Sequence, residues 1–482
     1  MKSDRRKFLR HLAIGSGVLA TGLPSFAKVT GTTDEQMDQS AELEKSGPGF
    51  NMCGYAAPKI ETVRVGVIGL GQRGSEAVGR LSYIDGLEIV ALCDKYPDRI
   101  AASQKTLEKL GRPKAKEYSG EEGWKALCES KDIDLVYTPT PWHLHAPIAI
   151  YAMKNDKHAA TEVNAGLTID DCWLLVETSE KTRKHCMMLE NCCYDFFEML
   201  TLNMIRNGLL GEVIHAEGAY IHDLSKDWLF NKKAYADMWR LKQNYQHNGN
   251  LYPTHGLGPI AQCLDINRGD KMDHLVSMST NDFTLNNLAN EMAAKDPFFN
   301  EFTNKPYRGN MNTTSIRTNK GKTIMLQHDV SSLRPYSRLH LLSGTKGVAQ
   351  KYPAPERIAF GHSWIKKEEL DDLYKKYSPP IINHIGAIAK DVGGHGGMDF
   401  IMDWRLIDCL RNGLPLDQNV YDAASWSSIF ALSGRSVEKK SRTVDIPDFT
   451  RGAWQTNKPV DLTLNGGATT KVRSIKPELK MK

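Results

Sequence analysis
Short apolar runs and longer amphipathic stretches alternate between residues 62 and 192. The runs are Thr62 to Ile68, Leu87 to Cys93, Ile133 to Tyr137, His158 to Val163 and Cys186 to Leu189. Such short, nearly continuous apolar runs predict strands buried on both faces, with helices between them. Strand–helix alternation makes a parallel sheet covered on both sides. A helical stretch runs from Phe196 to Asn207 and stops at Gly208. From Glu212 the rhythm changes to a period of two. Val213 to Tyr220 reads as a half-buried strand. Ser315–Thr318 and Thr323–Leu326 flank the turn Asn319–Lys322 and read as a hairpin. Leu339–Ser343 and Val348–Ala349, around Gly344–Gly347, read as another. The second half is therefore a largely antiparallel sheet with helices.

The turn after the first strand carries the most specific chemistry. Gly69-Leu70-Gly71-Gln72-Arg73-Gly74 opens a helix, and the second strand ends on Asp94. The first glycine makes the tight turn, the second admits a pyrophosphate, and the third lets helix and strand pack closely. The helix N-terminus offers its amides to the phosphates. Asp94 stands where a carboxylate accepts from both ribose hydroxyls, which favours NAD over NADP. The fold class expected is α/β. It joins a Rossmann doubly wound parallel sheet to a C-terminal α+β domain with an open-faced, largely antiparallel sheet. The expected bounds are 1–27 for a leader, 28–61 for a Gly/Pro-punctuated extension, 62–192 for the nucleotide domain and 193–482 for the substrate and oligomerisation domain.

The leader sets a compartment. Ser3-Asp4-Arg5-Arg6-Lys7-Phe8-Leu9-Arg10 precedes an apolar stretch from Leu12 to Leu23 and then Pro24-Ser25-Phe26-Ala27. Paired arginines, a modest apolar region and a small-x-Ala end predict twin-arginine export to the periplasm. The stretch is too short to span a membrane. That route carries folded, cofactor-loaded proteins, so an exported nucleotide enzyme would keep its NAD and regenerate it in each turnover. The chain has 482 residues, 41% of them hydrophobic, and a net charge of +5. With no basic block or aromatic–basic stripe, nucleic acid is not an expected partner. Nine cysteines appear without CxxC spacing, and HExxH is absent, so no metal is expected. Cys93, Cys128 and Cys186 lie in apolar runs and read as buried thiols. Cys192-Cys193 is an adjacent pair, which rarely bridges to itself.

These features together resemble the Gfo/Idh/MocA oxidoreductase superfamily, from residue 62 onward. Thr138-Pro139-Thr140-Pro141-Trp142-His143-Leu144-His145 looks like its third-strand region. One departure matters. The resembling dehydrogenases carry Glu-Lys-Pro after the fourth strand, with an acid–base lysine. This chain has Glu162-Val163-Asn164. Three further segments are similar to glycoside hydrolase family 109, named for NAD-dependent α-N-acetylgalactosaminidases. They are Glu190 to Tyr194, Asn250 to Pro259 and Gly393 to Phe400. The resemblance implies NAD that is held tightly and not consumed.

NAD-dependent glycosidases do not need the usual pair of carboxylates. They oxidise C3 of the sugar, acidify C2–H, expel the C1 substituent, add water and reduce C3 again. Histidine and tyrosine suit the proton transfers. The matching motifs imply Tyr194 and His255 as the acid–base pair, with Tyr194 at the carboxyl edge of the sheet. Gly69, Leu70, Gly71, Gln72, Arg73, Gly74 and Asp94 are expected to bind NAD, together with Trp142, His145, Glu162, Asn191 and His395. Arg240, Tyr252 and Tyr336 are expected to bind the sugar. Asp399 and Asp403, one turn apart on a helix, read as solvated or capping. The substrate is a small glycoside or a glycan, and open sheets of this kind often pair into homo-oligomers. Two other readings stay open: an NAD-dependent sugar dehydrogenase that releases NADH, and a non-catalytic sugar- or NAD-binding module.

Overall fold
The computed structural model describes residues 49–473. The arginine-led leader and residues 28–48 of the extension lie outside the described residues. Residues 49–60 pack onto the fold rather than preceding it. Met52 is buried, its amide donates to Tyr421 Oη, and the Arg183 guanidinium stacks on Phe50.

The first layer runs β1 (Val63–Ile68), α1 (Gln72–Leu81), β2 (Leu87–Asp94), α2 (Pro97–Lys109), β3 (Lys116–Ser119), α3 (Gly123–Glu129), β4 (Leu135–Thr138), α4 (His145–Lys154), β5 (His158–Thr161), α5 (Ile169–Thr182) and β6 (Cys186–Met188). All six strands are parallel, in the order β3-β2-β1-β4-β5-β6. The order reverses between β1 and β4, and ligands of such sheets bind at that switch point. β3 is absent from the sequence reading. Its Lys-Glu-Tyr-Ser composition is that of a charged, exposed edge, which carries no apolar signal.

Helix α6 (Phe196–Arg206) leads to β7 (Val213–Ile221), α7 (Trp239–Gln246), α8 (Thr254–Cys263), β8 (Met272–Ser279) and α9 (Leu285–Lys295). The hairpin β9 (Asn312–Thr318) and β10 (Thr323–Asp329) follows, then β11 (Leu341–Gly344), β12 (Val348–Gln350) and β13 (Arg357–Ala359). The chain closes with α10 (Lys367–Tyr377), α11 (Pro380–Val392), α12 (Met398–Asn412), α13 (Val420–Glu438) and β14 (Val444–Asp445). The second sheet has the order β13-β12-β11-β7-β10-β9-β8-β14. β7 and β10 pair in parallel and the other pairs are antiparallel. Both expected hairpins form; β8, β13 and β14 come in addition.

The late helices do not stay with the second sheet. α12 packs on α1, while α13 packs on α5 and β6 as well as on β8. Both are buried on nearly every face, Met398 to Leu410 and Val420 to Phe430. A helix without a polar side needs neighbours all round. The division at residue 193 therefore does not separate two cores. The cysteines are all free thiols, and every one except Cys53 is buried. Among the described residues no helix is long and apolar enough to cross a membrane.

Candidate active site
A cleft of about 1060 Å³ follows the carboxyl ends of the parallel strands and is closed on its far side by β7, α7, α8 and the segment between them. Its nucleotide end is built by the glycine turn. Gly69 has φ +94°, and a Cβ there would meet Thr140 Cγ2 at 2.8 Å. A Cβ on Gly74 would lie 1.8 Å from the Gly69 carbonyl oxygen, so helix and strand touch through bare backbone. A Cβ on Gly71 would meet only the tip of Arg99, at 3.7 Å. It would project into the cleft, on the side where a pyrophosphate would lie against the turn. The N-terminus of α1 has no side-chain cap, which leaves its first amides for an anion. Asp94, at the end of β2, accepts from the amides of Leu70 at 2.6 Å and Tyr96 at 2.9 Å. These features fit a dinucleotide.

A clasp spans this end from the opposite side. The segment between β7 and α7 brings Asp237 onto the nucleotide layer. Tyr96 Oη donates to Asp237 Oδ2 at 3.1 Å, and Lys95 Nζ lies 3.5 Å away. Asp237 and Met238 both have positive φ, 56° and 54°.

The inner cleft has an aromatic and cationic wall. The Arg240 guanidinium lies over the rings of Tyr252 (4.9 Å), Trp142 (5.3 Å) and Tyr235 (5.3 Å). It also donates to Tyr235 Oη at 2.7 Å. Trp142 stacks on Tyr252 and meets Trp239 edge-on. Tyr220, on β7, packs against Tyr252 and His255. Burial holds the Tyr220 and Tyr252 hydroxyls above the ordinary phenol range, with Arg240 opposing. They are neutral donors there.

His255 stands in the first turn of α8, beside these rings. Its Nδ1 lies 2.8 and 3.0 Å from the two oxygens of Glu190. Glu190 follows β6 and is completely buried. Burial opposes its ionisation, but His255 and the Cys192 amide outweigh that and hold the carboxyl below its usual range. A carboxylate on Nδ1 makes Nδ1–H the donor and leaves Nε2 as the free nitrogen, the arrangement of a general base. Glu190, Cys192 and His255 place possible ligand atoms within 4.8 Å of one another. A cation there would have to displace the His255–Glu190 bond. Glu190 carried no assignment from the sequence. Its position after a parallel strand, like that of Asp94 and Glu162, was the available signal.

Other expected residues are placed differently. Tyr194 is not in the cleft, which corrects its assignment as partner of His255. The 3-10 turn after β6 directs it inward, where its hydroxyl donates to Asp417 at 3.3 Å. Burial and that carboxylate hold it far above the ordinary phenol range. His145 lines the cleft but sits between two backbone carbonyls, of Asn164 and Thr140, each 2.7 Å from a ring nitrogen; burial lowers its pKa, and the neutral ring donates to one of them. It pins two strand-end loops together. Tyr336 lies outside the lining, edge-on to His222 and held by Arg338.

Leu70, Gln72, Glu162, Asn191 and His395 do line the cleft. Glu162 is gripped by Arg73, whose Nη2 and Nε lie 2.6 and 2.9 Å from Oε1. Arg73 also reaches Asp399 at 2.8 Å. Asp399 and Asp403 are fully buried, not solvated, because Arg80 on α1 lies between α12 and the sheet and pairs with both. Burial raises the cost of ionising Asp399, yet Arg73 and Arg80 hold its carboxyl well below the usual range. Tyr220, His222 and Trp239 are cleft residues that carried no assignment from the sequence, and Glu190 lies behind the cleft wall, on His255.

Residues 63–190 match the oxidoreductase family with an NAD-binding Rossmann fold, and residues 194–456 match the C-terminal domain of glycosyl hydrolase 109. The chain is 48% identical over 456 residues to glycosyl hydrolase family 109 protein 1 of Bacteroides fragilis, covering 90% of this chain and 96% of that one. It is 49% identical over 418 residues to the family 109 protein of Porphyromonas gingivalis, covering 82% and 86%. Among solved structures, myo-inositol dehydrogenase from Lactobacillus casei with NAD(H) and myo-inositol aligns with TM-score 0.53 and 17% identity, over 81% of this chain and 99% of that one. Aldose–aldose oxidoreductase from Caulobacter crescentus aligns with TM-score 0.57 and 17% identity, over 80% and 100%. At that identity these two establish the fold. The cradle, Asp94 and the matched nucleotide domain make NAD the cofactor.

Proposed function
The chain belongs to glycosyl hydrolase family 109, and on that premise we propose that it hydrolyses terminal α-N-acetylgalactosaminides by transient oxidation at C3 of the sugar. The observation that carries this reading is His255, held by buried Glu190 and facing the Arg240–tyrosine wall in the cleft that holds the dinucleotide cradle. Bound NAD supplies a hydride acceptor at the start of the cycle and a donor at its end, so no net redox change results. His255 Nε2 takes the proton of the sugar hydroxyl, and Glu190 balances the charge left on the ring. With C3 as a ketone, C2–H becomes acidic. His255, its first proton passed to solvent, takes the C2 proton as the C1 oxygen is expelled; water then adds at C1 and C2 is reprotonated. Arg240 and the hydroxyls of Tyr220 and Tyr252 hold the sugar, and the packed rings around them exclude water.

The inner carboxylates support a route without a carboxylate pair. Asp94 is taken by amides, Glu162 by Arg73, and Asp399 by Arg73 and Arg80. The test is hydrolysis in heavy water without added NAD. Deuterium should appear at C2 of the released sugar while the NADH absorbance stays flat. Retained C2–H, or NADH accumulating with substrate, would sink the reading in favour of direct displacement or a dehydrogenase. We also propose export to the periplasm by the twin-arginine route. Lysines at positions 5 and 6 should trap active enzyme in the cytoplasm; unchanged export would count against the leader.

A further inference from the structure
The cleft contains a second carboxylate-held histidine, in the turn between α11 and α12. Gly393, Gly394, Gly396 and Gly397 all have positive φ, between 73° and 104°, and His395 in their midst has φ +46°. A non-glycine residue in the left-handed region costs energy and is kept only where its surroundings over-determine it. The surroundings here are tight. A Cβ on Gly394 would meet Asp399 Cβ at 2.8 Å and Arg80 Cδ at 2.9 Å, and one on Gly397 would meet the backbone of Ala389 at 2.8 Å. The turn is pressed against α11, α12 and α1, and it holds out one histidine.

His395 Nδ1 lies 2.9 Å from Asp399 Oδ2 and 3.3 Å from Arg73 Nη1. The shorter contact, to a carboxylate, makes Nδ1–H the donor and leaves Nε2 free. The chemistry is that of the Glu190–His255 pair with opposite access. The His255 side chain is 14% exposed and that of His395 is 54% exposed, and both line one cleft. His222 lines the same cleft. A reaction that strips protons from carbon and from a sugar hydroxyl needs a sheltered base. One that releases an alcohol and takes up water needs an acid–base group open to solvent.

We propose that His395, oriented by Asp399, is the acid–base residue at C1 of the sugar. This rests on the glycosidase reading above. His395 enters the step as the imidazolium, with Nδ1–H on Asp399 and a second proton on Nε2. The electron pair left at C2 forms the C1–C2 double bond as the C1–O bond breaks, and the departing oxygen takes the proton of Nε2. In the return step Nε2 takes a proton from water as its oxygen bonds to C1. The double-bond pair then reverts to C2, which is protonated. One alcohol leaves, one water is consumed, and the histidine ends as it began.

His395→Asn tests this, because asparagine tolerates the left-handed backbone and cannot transfer protons at neutral pH. The full holoenzyme is assayed with two substrates. A methyl α-N-acetylgalactosaminide leaves as a basic alkoxide and should slow by about 10²–10⁴-fold. The 4-nitrophenyl glycoside needs no proton to leave, so release of nitrophenol in its first turnover should slow by less than about tenfold. In heavy water the unreacted methyl glycoside should gain deuterium at C2, because C2 deprotonation then reverses faster than cleavage follows. Nucleotide released on denaturation, and the thermal midpoint, should match the parent. Equal slowing on both substrates, or lost nucleotide, would overturn the assignment. If the parent's own product carries no C2 deuterium, the glycosidase reading fails first and takes this one with it. If it does and the two substrates slow equally, only the role of His395 fails.

Discussion
Replacing Glu190 by Gln isolates the charge that holds His255. The side chain keeps its shape, and its oxygen can still accept from the Cys192 amide, which lies 3.1 Å away. What is lost is a charge-assisted bond to Nδ1, made in full burial at 2.8 Å. Hydrogen bonds to charged groups contribute about 1.5–3 kcal/mol. If the imidazolium is stabilised by that amount in the transition state, turnover should fall roughly 10- to 150-fold, at 1.36 kcal/mol per decade. The amide can also rotate and donate to Nδ1, which imposes the wrong tautomer and adds to the loss. Folding should weaken as well, with a defined pH dependence. The Glu190 carboxyl is held below its ordinary value of 4.5. Its contribution is therefore present above that pH and fades as the pH falls through the folded value. The stability gap between parent and variant should be full at neutral pH and shrink in acid. The assays are nitrophenol release under saturating substrate and urea denaturation at a series of pH values, with bound nucleotide measured as a control. Turnover within twofold of the parent, with nucleotide intact, would refute the role given to Glu190.

Tyr194→Phe should leave turnover within about threefold and cost about 1 kcal/mol of stability, since its hydroxyl serves Asp417. A fall beyond a hundredfold in nitrophenol release would return Tyr194 to the acid–base machinery. Asp399→Asn should lower the urea-derived stability by about 3–5 kcal/mol, because it strips a buried carboxylate from Arg73 and Arg80. That contribution is present above the ordinary carboxyl value of 3.8 and lost as the pH falls further below it, so a gap that widens in acid would contradict the ion-pair account. Asp237→Ala should speed nucleotide loss on repeated desalting by about twofold to fivefold, the scale of an exposed pair worth at most about 1 kcal/mol. No change in retention would mean that the clasp does not restrain the cofactor.

The nucleotide half was legible because its signals are local. Gly69, Gly71 and Gly74 each answer a backbone demand within one turn, and Asp94 ends the adjacent strand. Continuous apolar runs marked five of the six parallel strands, and only the polar edge β3 was silent. The period-two stretches marked both hairpins for the same reason, since side-chain alternation belongs to the strand itself. His255 and Tyr252 were found through a segment matching a family, Arg240 was expected as a sugar ligand from outside those segments, and all three meet in the cleft.

Long-range contacts decided the rest. Tyr194 and Glu190 lie four residues apart in one motif, yet the turn after β6 sends one to Asp417 and the other to His255. Nothing in their spacing distinguishes them. Asp399 and Asp403 read as surface acids until α12 packs on α1 and Arg80 comes between them. The helix supplying those carboxylates lies more than 300 residues from Arg73 and Arg80. Period, turn chemistry and strand-end acids are properties of a few neighbouring residues, so the chain alone determined the cofactor fold and its cradle. Which histidine has a carboxylate behind it, which faces solvent, and which tyrosine is spent on the core depend on burial and charge between distant segments. Those choices were made only when the two halves closed on one cleft.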